Sequence, residues 1–348
     1  MFAPGRVNVI GEHTDYNQGL ALPFAITDGI TVRASSREPD PDGGHVEAIA
    51  RDLQESDRFA LSNPEPTTGW RAFVRGAVSE LQDAGFPLLA THLEISGGLP
   101  QGAGLSSSAA LTVALCMALL ELSPSHDKPG EPTIDRLALA RLCSLIENDW
   151  AGAQTGLLDQ IASLFGASET ALCIDFQTLE VKPVPLRLQG WRFAIADSGE
   201  RHVHASSGYN ERRAECAQAC ELLGVSSLRE TNLDRLHDLP EPLQRRARHV
   251  LEENDRVRAT MAALASDELD AVGEQLSASH RSLRDLYQVS TPAVEATVDR
   301  LMRAGADGAR LIGGGFGGSV LGLFAPDVPL PPDTLEVSPG PGAHVLAR

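Results

Sequence analysis

The sequence has almost no lysine: of 29 basic residues only Lys128 and Lys182 are lysines, and the rest are arginines. It is also short of positive charge, with 47 acidic residues and a net charge of −18. A nucleic acid or an anionic membrane as main partner is excluded by that balance, because both call for a basic face. An anionic substrate would need a local positive pocket. Long apolar runs are missing too. Leu111–Leu122 comes nearest, and it is about three helical turns, short of the roughly 20 residues a membrane span needs. The start has no charged-then-apolar leader pattern. Five cysteines (116, 143, 173, 216 and 220) are scattered without metal-ligand spacing. Reduced, structural thiols and a cytoplasmic location are therefore expected. The phosphate-binding pattern G-x-x-x-x-G-K-[ST] has no match, which excludes a P-loop.

What is present describes a folded globular chain. Its 348 residues are 42% hydrophobic and 22% charged, and this length predicts two domains. Helical and strand-like segments interleave without a regular βα repeat, so an α+β fold is expected rather than a doubly wound sheet. The boundary is placed near residue 187, giving an N-terminal domain over 1–187 and a C-terminal one over 188–348. Helices are predicted at 209–224, 241–265, 267–285 and 292–305, and across the run ending at Gly166.

Three segments could carry chemistry. The first, Gly102–Ala110, joins a strand to a helix through glycines and three serines. The free N–H groups and partial positive charge of a helix start bind anions, and Ser106–Ser108 add hydroxyls. Serines also cap helices in general, so the turn alone does not establish a phosphate site. The second, Gly5–Asn17 (GRVNVIGEHTDYN), crowds Arg6, Glu12, His13 and Asp15 into a strand and turn, a density of donors and acceptors suited to a polyol. The third, Gly313–Gly318, formally meets G-x-G-x-x-G, but too little chain follows for a dinucleotide fold. Close backbone packing explains its glycines better.

Together and in this order, these segments resemble the GHMP family of small-molecule kinases, whose phosphate motif matches Gly97–Ala110 and whose third motif matches Arg310–Gly318, and Gly5–Asn17 resembles its galactokinase branch. The likeness covers about residues 2–324 and includes ENDWAGAQTGLLDQIAS (147–163), DSGERHVHASSGYNERRAEC (197–216) and SHRSLRDLYQVSTP (279–292). It implies an N-terminal mixed-sheet domain, a C-terminal ferredoxin-like α+β domain and an active site in the cleft between them. By the same resemblance Asp159 is the catalytic base at the sugar's anomeric hydroxyl, Arg6 faces it and keeps it ionised, and Arg201 lies near the reacting groups. Glu12, His13, Asp15, Gly156 and Tyr209 match sugar-binding positions. Gly102, Ala103, Gly104, Leu105, Ser106, Ser107, Ser108 and Ala109 match the ATP-binding turn, and Glu147 with one serine of Ser106–Ser108, Ser107 being favoured, matches the Mg²⁺ ligands.

The implied reaction is ATP-dependent phosphorylation of D-galactose at its anomeric hydroxyl, by a monomer. Kinases of N-acetylgalactosamine or L-arabinose are the neighbouring alternatives. Non-catalytic sugar sensors of this type lack a serine–alanine pair in the phosphate turn, and Ser108–Ala109 is present. Two departures from the family are noted: the chain starts almost at the first motif, where galactokinases carry a leader that includes the start of the strand, so reduced stability or sugar affinity is expected, and residues 325–343 are short and rich in proline, which puts the closing C-terminal element in doubt.

Overall fold

The computed structural model describes residues 1–38, 44–99, 104–124, 134–152, 156–200 and 205–346. In chain order the first half contains β1 (Phe2–Asn8), β2 (Leu20–Ala21), β3 (Pro23–Ser36), β4 (His45–Ala50), β5 (Glu55–Ala60), α1 (Trp70–Asp83), β6 (Thr91–Gly97), α2 (Ser107–Glu121), α3 (Arg136–Leu145), α4 (Leu158–Phe165), β7 (Thr170–Asp175) and β8 (Glu180–Pro185). The second half contains β9 (Arg192–Asp197), α5 (Ala205–Leu223), α6 (Leu243–Ala265), α7 (Leu269–Ser282), α8 (Pro292–Arg303), β10 (Ala306–Ile312), β11 (Ser319–Phe324) and β12 (Leu335–Val337).

Among the described residues the strands form three sheets. A five-stranded sheet has the order β1-β3-β6-β4-β5 and is mixed, because β4 runs parallel to β6 while the other pairs are antiparallel. A small sheet, β2-β7-β8, lies beside it. The chain leaves β8 at Pro185 and enters a four-stranded antiparallel sheet, β10-β11-β9-β12, at Arg192. This is the two-domain α+β architecture that the motifs implied.

Apolar pattern explains the layering. α2 is apolar around its whole circumference, so it is covered on all sides, by α1, α3 and α4 and by strands β1 and β3. α1 is amphipathic and turns Val74, Ala77, Val78 and Leu81 to the same core. α8 starts where Thr291 accepts the Val294 N–H and Pro292 occupies the first turn, the expected chemistry of a helix start.

Two helices end in single π-turns, Ile146–Trp150 after α3 and Leu283–Tyr287 after α7. A π-turn adds a residue to the helical repeat and so rotates the side chains beyond it. These two carry Glu147 and Tyr287.

Both ends of the chain are tied into the sheets. β1 pairs with β3 from Phe2 opposite Thr31 to Asn8 opposite Pro23, and the Met1 ammonium donates to the Val32 carbonyl at 2.7 Å. A closing strand also exists, since Leu335–Val337 pairs with β9 despite the prolines around it. Beyond it the tail returns to the first half. Gly340 N–H donates to Ala25 O (2.7 Å), Ala343 N–H to Ser163 O (2.8 Å), and Phe2 and His344 exchange backbone bonds at 2.9 Å each way.

Candidate active site

The site begins on β1. A bulge between Pro4 and Arg6 turns the strand here, and Gly5 lets another backbone come close: a Cβ on it would lie 2.6 Å from the Leu105 carbonyl oxygen. The Arg6 N–H donates to that carbonyl at 3.1 Å. Its guanidinium donates through Nε to Asp159 Oδ1 (2.7 Å) and through Nη1 to Gly104 O (2.6 Å). Asp159 sits in the first turn of α4, where free helix N–H groups favour a carboxylate. Its other oxygen, Oδ2, accepts from the Ser106 hydroxyl at 2.5 Å. Asp159 is therefore a carboxylate paired with arginine at a helix start, not an isolated acid in an apolar helix.

Glu12 lies just beyond the strand and is buried. Oε2 accepts from the Asn8 amide (2.9 Å), and Oε1 accepts from the Gly313 N–H (2.9 Å) and pairs with Arg310 Nη2 (2.7 Å). Arg310 is fully buried, and its Nη1 also donates to the Val9 carbonyl at 2.7 Å. The third motif therefore contributes more than glycines. Its arginine and the Gly313 N–H both grip an acid of the first motif.

His13 has a left-handed backbone (φ 62°) and a buried ring packed among Tyr16, Tyr209 and Tyr287. Burial, with the positive potential of His249, Arg212 and Arg310 added, pushes its pKa down to about 3, so it is a neutral imidazole at pH 7. Its Nδ1 pairs with the Tyr16 hydroxyl (2.8 Å), Tyr16 with the Tyr287 hydroxyl (2.9 Å), and Tyr287 with Cys216 Sγ (3.1 Å). Burial raises all three phenols well above 10, so they stay protonated.

Asp15 remains partly exposed. Burial raises its pKa to about 6; the Asp159 and Glu12 charges push the same way, and the backbone N–H groups of Tyr16 and Asp15 oppose them. Gly156 approaches it so closely that a Cβ there would lie 2.2 Å from Asp15 Oδ2. Gly156→Ala is expected to displace that carboxylate and leave the fold intact. If sugar hydroxyls donate to it, the loss of one charge-assisted hydrogen bond raises KM for the sugar by about tenfold or more. Steady-state kinetics with a melting curve checks this, and an unchanged KM removes Asp15 from the sugar contacts.

Helix α6 holds this turn from behind. Glu253 Oε1 accepts the Gly11 N–H (3.0 Å) and the Ser279 hydroxyl (2.6 Å), while Oε2 accepts Arg256 Nε (2.6 Å). Burial works against its charge, but Arg256, His249, Arg310 and the Ser279 bond hold its pKa down to about 2. Asn254 Oδ1 accepts the Leu20 N–H at 2.7 Å. His249 Nε2 pairs with the Glu12 carbonyl oxygen at 3.2 Å. The sequence assigns no role to these residues; Arg310 marks only the start of the third motif, and Tyr287 lies in a matched segment without a role of its own. A signal exists: Arg246, His249, Glu253 and Thr260 continue the buried stripe of Val250 and Val257 at helical spacing.

On the nucleotide side, Ser107 begins α2 and Ser106 precedes it with a left-handed backbone. Glu147 is buried on its π-turn, and Gln160 Nε2 donates to its Oε2 at 2.5 Å. Among the described residues no cluster of three or more His, Cys, Asp or Glu could hold a metal. Gly102, Ala103 and Arg201 lie outside the described residues. Tyr209, on α5, packs against His13 and Tyr16, and a Cβ on Gly314 would lie 3.2 Å from its ring. The glycine cluster serves close packing, as expected: Gly315 lies against Val289 and Gly317 against Glu200, where a Cβ would come within 2.6 and 2.9 Å.

Comparison with known proteins agrees with this arrangement. Residues 72–167 match the GHMP kinases N terminal domain and residues 260–330 the GHMP kinases C terminal domain. The two halves are thus those of a GHMP-type small-molecule kinase. Residues 1–36 match the galactokinase galactose-binding signature. The chain is 42% identical over 332 residues to the galactokinase of Mycobacterium tuberculosis H37Rv, covering 93% of this chain and 88% of that one. It is 38% identical over 322 residues to the galactokinase of Thermotoga neapolitana, covering 92% and 88%. The fold superposes on Lactococcus lactis galactokinase complexed with galactose with a TM-score of 0.88 at 31% identity, covering 99% of this chain and 94% of that one. Methanococcus jannaschii mevalonate kinase shares the fold, with a TM-score of 0.69 at 20% identity. The chain belongs to the galactokinase family. Dependence on Mg-ATP comes with that membership.

Proposed function

We propose that the chain transfers the terminal phosphoryl group of ATP to the anomeric hydroxyl of D-galactose. The observation that carries this reading is the Arg6–Asp159 pair, set between a turn at a helix start and a polar pocket suited to a hexose. A sugar hydroxyl is a weak nucleophile, and phosphoryl transfer is catalysed mainly by positioning and charge neutralisation. Asp159 orients the hydroxyl and takes its proton, and Arg6 holds the carboxylate in place. Glu12, neutral His13, Asp15 and Tyr209 supply acceptors and donors to the other hydroxyls, with Gly156 leaving room for Asp15. The N–H groups opening α2 face the phosphates.

Mg²⁺ bound to phosphate oxygens and water needs only one or two protein oxygens. Glu147 and Ser107 provide such a set, and Ser106 is the poorer candidate because its hydroxyl is engaged by Asp159. When bound, the metal neutralises phosphate charge. Arg201 adds positive charge near the reacting groups. A cytoplasmic monomer with domains meeting between 185 and 192 completes the proposal; no helix of the described residues is long and apolar enough to cross a membrane.

The direct test is ADP release from ATP with a panel of sugars, the phosphorylated position being read by NMR. Faster turnover of N-acetylgalactosamine or L-arabinose than of galactose would overturn the galactose assignment.

A pH dependence follows from Asp15. Its folded pKa of about 6 lies above the ordinary 3.8, so the sugar-free protein loses this group's contribution to stability as pH rises between those values. Galactose hydroxyls donating to the ionised carboxylate would favour the charged form. Galactose binding is therefore expected to strengthen as pH rises through about 6 and to release a proton below it. Calorimetry in two buffers of different ionisation enthalpy reads both effects. Affinity that does not change from the acid to the neutral side of this range would exclude an ionised Asp15 from the sugar contacts.

A further inference from the structure

We infer that Ser106 is a positioning residue for Asp159, joining the nucleotide-side turn to the base, and that it is not a phosphate ligand. The inference builds on the reading of Asp159 as base. A serine preceding a helix ordinarily accepts a hydrogen bond from a first-turn N–H. Ser106 occupies that place before α2 and makes no such bond. Its backbone is left-handed (φ 56°), a conformation that disfavours residues other than glycine and that persists where surrounding contacts enforce it. The hydroxyl donates to Asp159 Oδ2 instead.

Its two predecessors act on the same pair. Gly104 O accepts from Arg6 Nη1, and Leu105 O accepts from the Arg6 backbone N–H, a contact made possible by the missing side chain of Gly5. Three consecutive residues of the turn thus each contribute one polar group to Arg6 or Asp159. The carboxylate is held from two elements, Oδ1 by β1 and Oδ2 by the turn, and this fixes its plane. A phosphate recruiting the Ser106 hydroxyl would have to take it from a full negative charge. The backbone N–H groups of α2 carry no such commitment. The turn therefore faces two ways, its helix-start N–H groups toward the nucleotide and its carbonyls and first hydroxyl toward the base.

If so, galactose binding should depend on Ser106 even when no nucleotide is present. Ser106→Gly deletes the hydroxyl in a residue that accepts the left-handed backbone, and a melting curve confirms the fold. Loss of a hydrogen bond to a charged group predicts a fall in kcat of about tenfold and a weakening of nucleotide-free galactose binding of about two- to threefold by calorimetry, with KM for ATP within about twofold. In an Asp159→Ala background, where the serine has no partner, the same change should leave galactose affinity unaltered, because the serine acts through the carboxylate. A raised KM for ATP with unchanged galactose affinity would make Ser106 a phosphate ligand and overturn the proposal. Wild-type values for all three quantities would overturn it as well. Failure of the underlying reading is separate: near-normal kcat in Asp159→Asn alone removes the base whatever Ser106 does.

Discussion

Asp159→Asn is expected to lower kcat by a factor of about 10²–10⁴, the usual contribution of a positioned general base, with galactose affinity changed only a few-fold. The amide has the shape of the carboxylate. Its oxygen can accept from Arg6 Nε, and its NH₂ can donate to the Ser106 oxygen, so the local geometry survives. It cannot take a proton from the sugar, and it presents no negative charge to Arg6. Turnover and calorimetry on the same preparation separate the two effects. Retention of near-normal kcat would show that the hydroxyl attacks without this base.

The second large effect falls on stability as well as on sugar binding. Arg310→Met leaves Glu12 buried with the Asn8 amide and Gly313 N–H but without its cation. Breaking a buried ion pair from one side costs about 3–5 kcal/mol. For a domain of this size that corresponds to a fall in Tm of roughly 10 °C. Galactose binding should be lost with it, because Glu12 would turn toward water or bind a proton. Adding Glu12→Gln to Arg310→Met removes the uncompensated charge, so part of the lost Tm returns while sugar affinity does not. An Arg310→Met protein with wild-type Tm and KM would show that Glu12 is held by its neutral donors alone.

The parts of the site that lay close together in sequence were readable there. Arg6 to Asp15 and the Ser106–Ser108 turn announced themselves by density and by glycine spacing. Asp159 drew its meaning from a resemblance, since one acid among Leu157, Leu158 and Ile161 is ordinary. The supports of the site were not visible because they are made across the chain. Glu253 and Asn254 stand in a charged run, EENDR, that reads as a solvated helix face, yet Glu253 is fully buried against a glycine N–H far away in sequence. Tyr287 needed the π-turn after α7 to bring it beneath Tyr16. Among the strands, Thr27-Asp28-Gly29 has the composition of a turn but lies inside the 14-residue β3. There Gly29 allows Phe2 and Ala3 to pass closely: a Cβ on it would be 2.2 Å from Ala3 O.

The grip of Arg310 on the first motif has a consequence for how the protein is made. Arg310 and the Val9 carbonyl it binds are 301 residues apart, and Phe2 meets His344 only at the far end. At about 10 residues per second, roughly 30 s of translation separate the emergence of Val9 from that of Arg310. Until Glu253 and then Arg310 emerge, the buried polar groups they satisfy in the nascent first motif lack those partners. The segment that matches the galactose-binding signature is thus the first part of this chain to be synthesised and among the last to be completed. A ribosome stalled before β10 would display the N-terminal sheet with Glu12 still lacking Arg310.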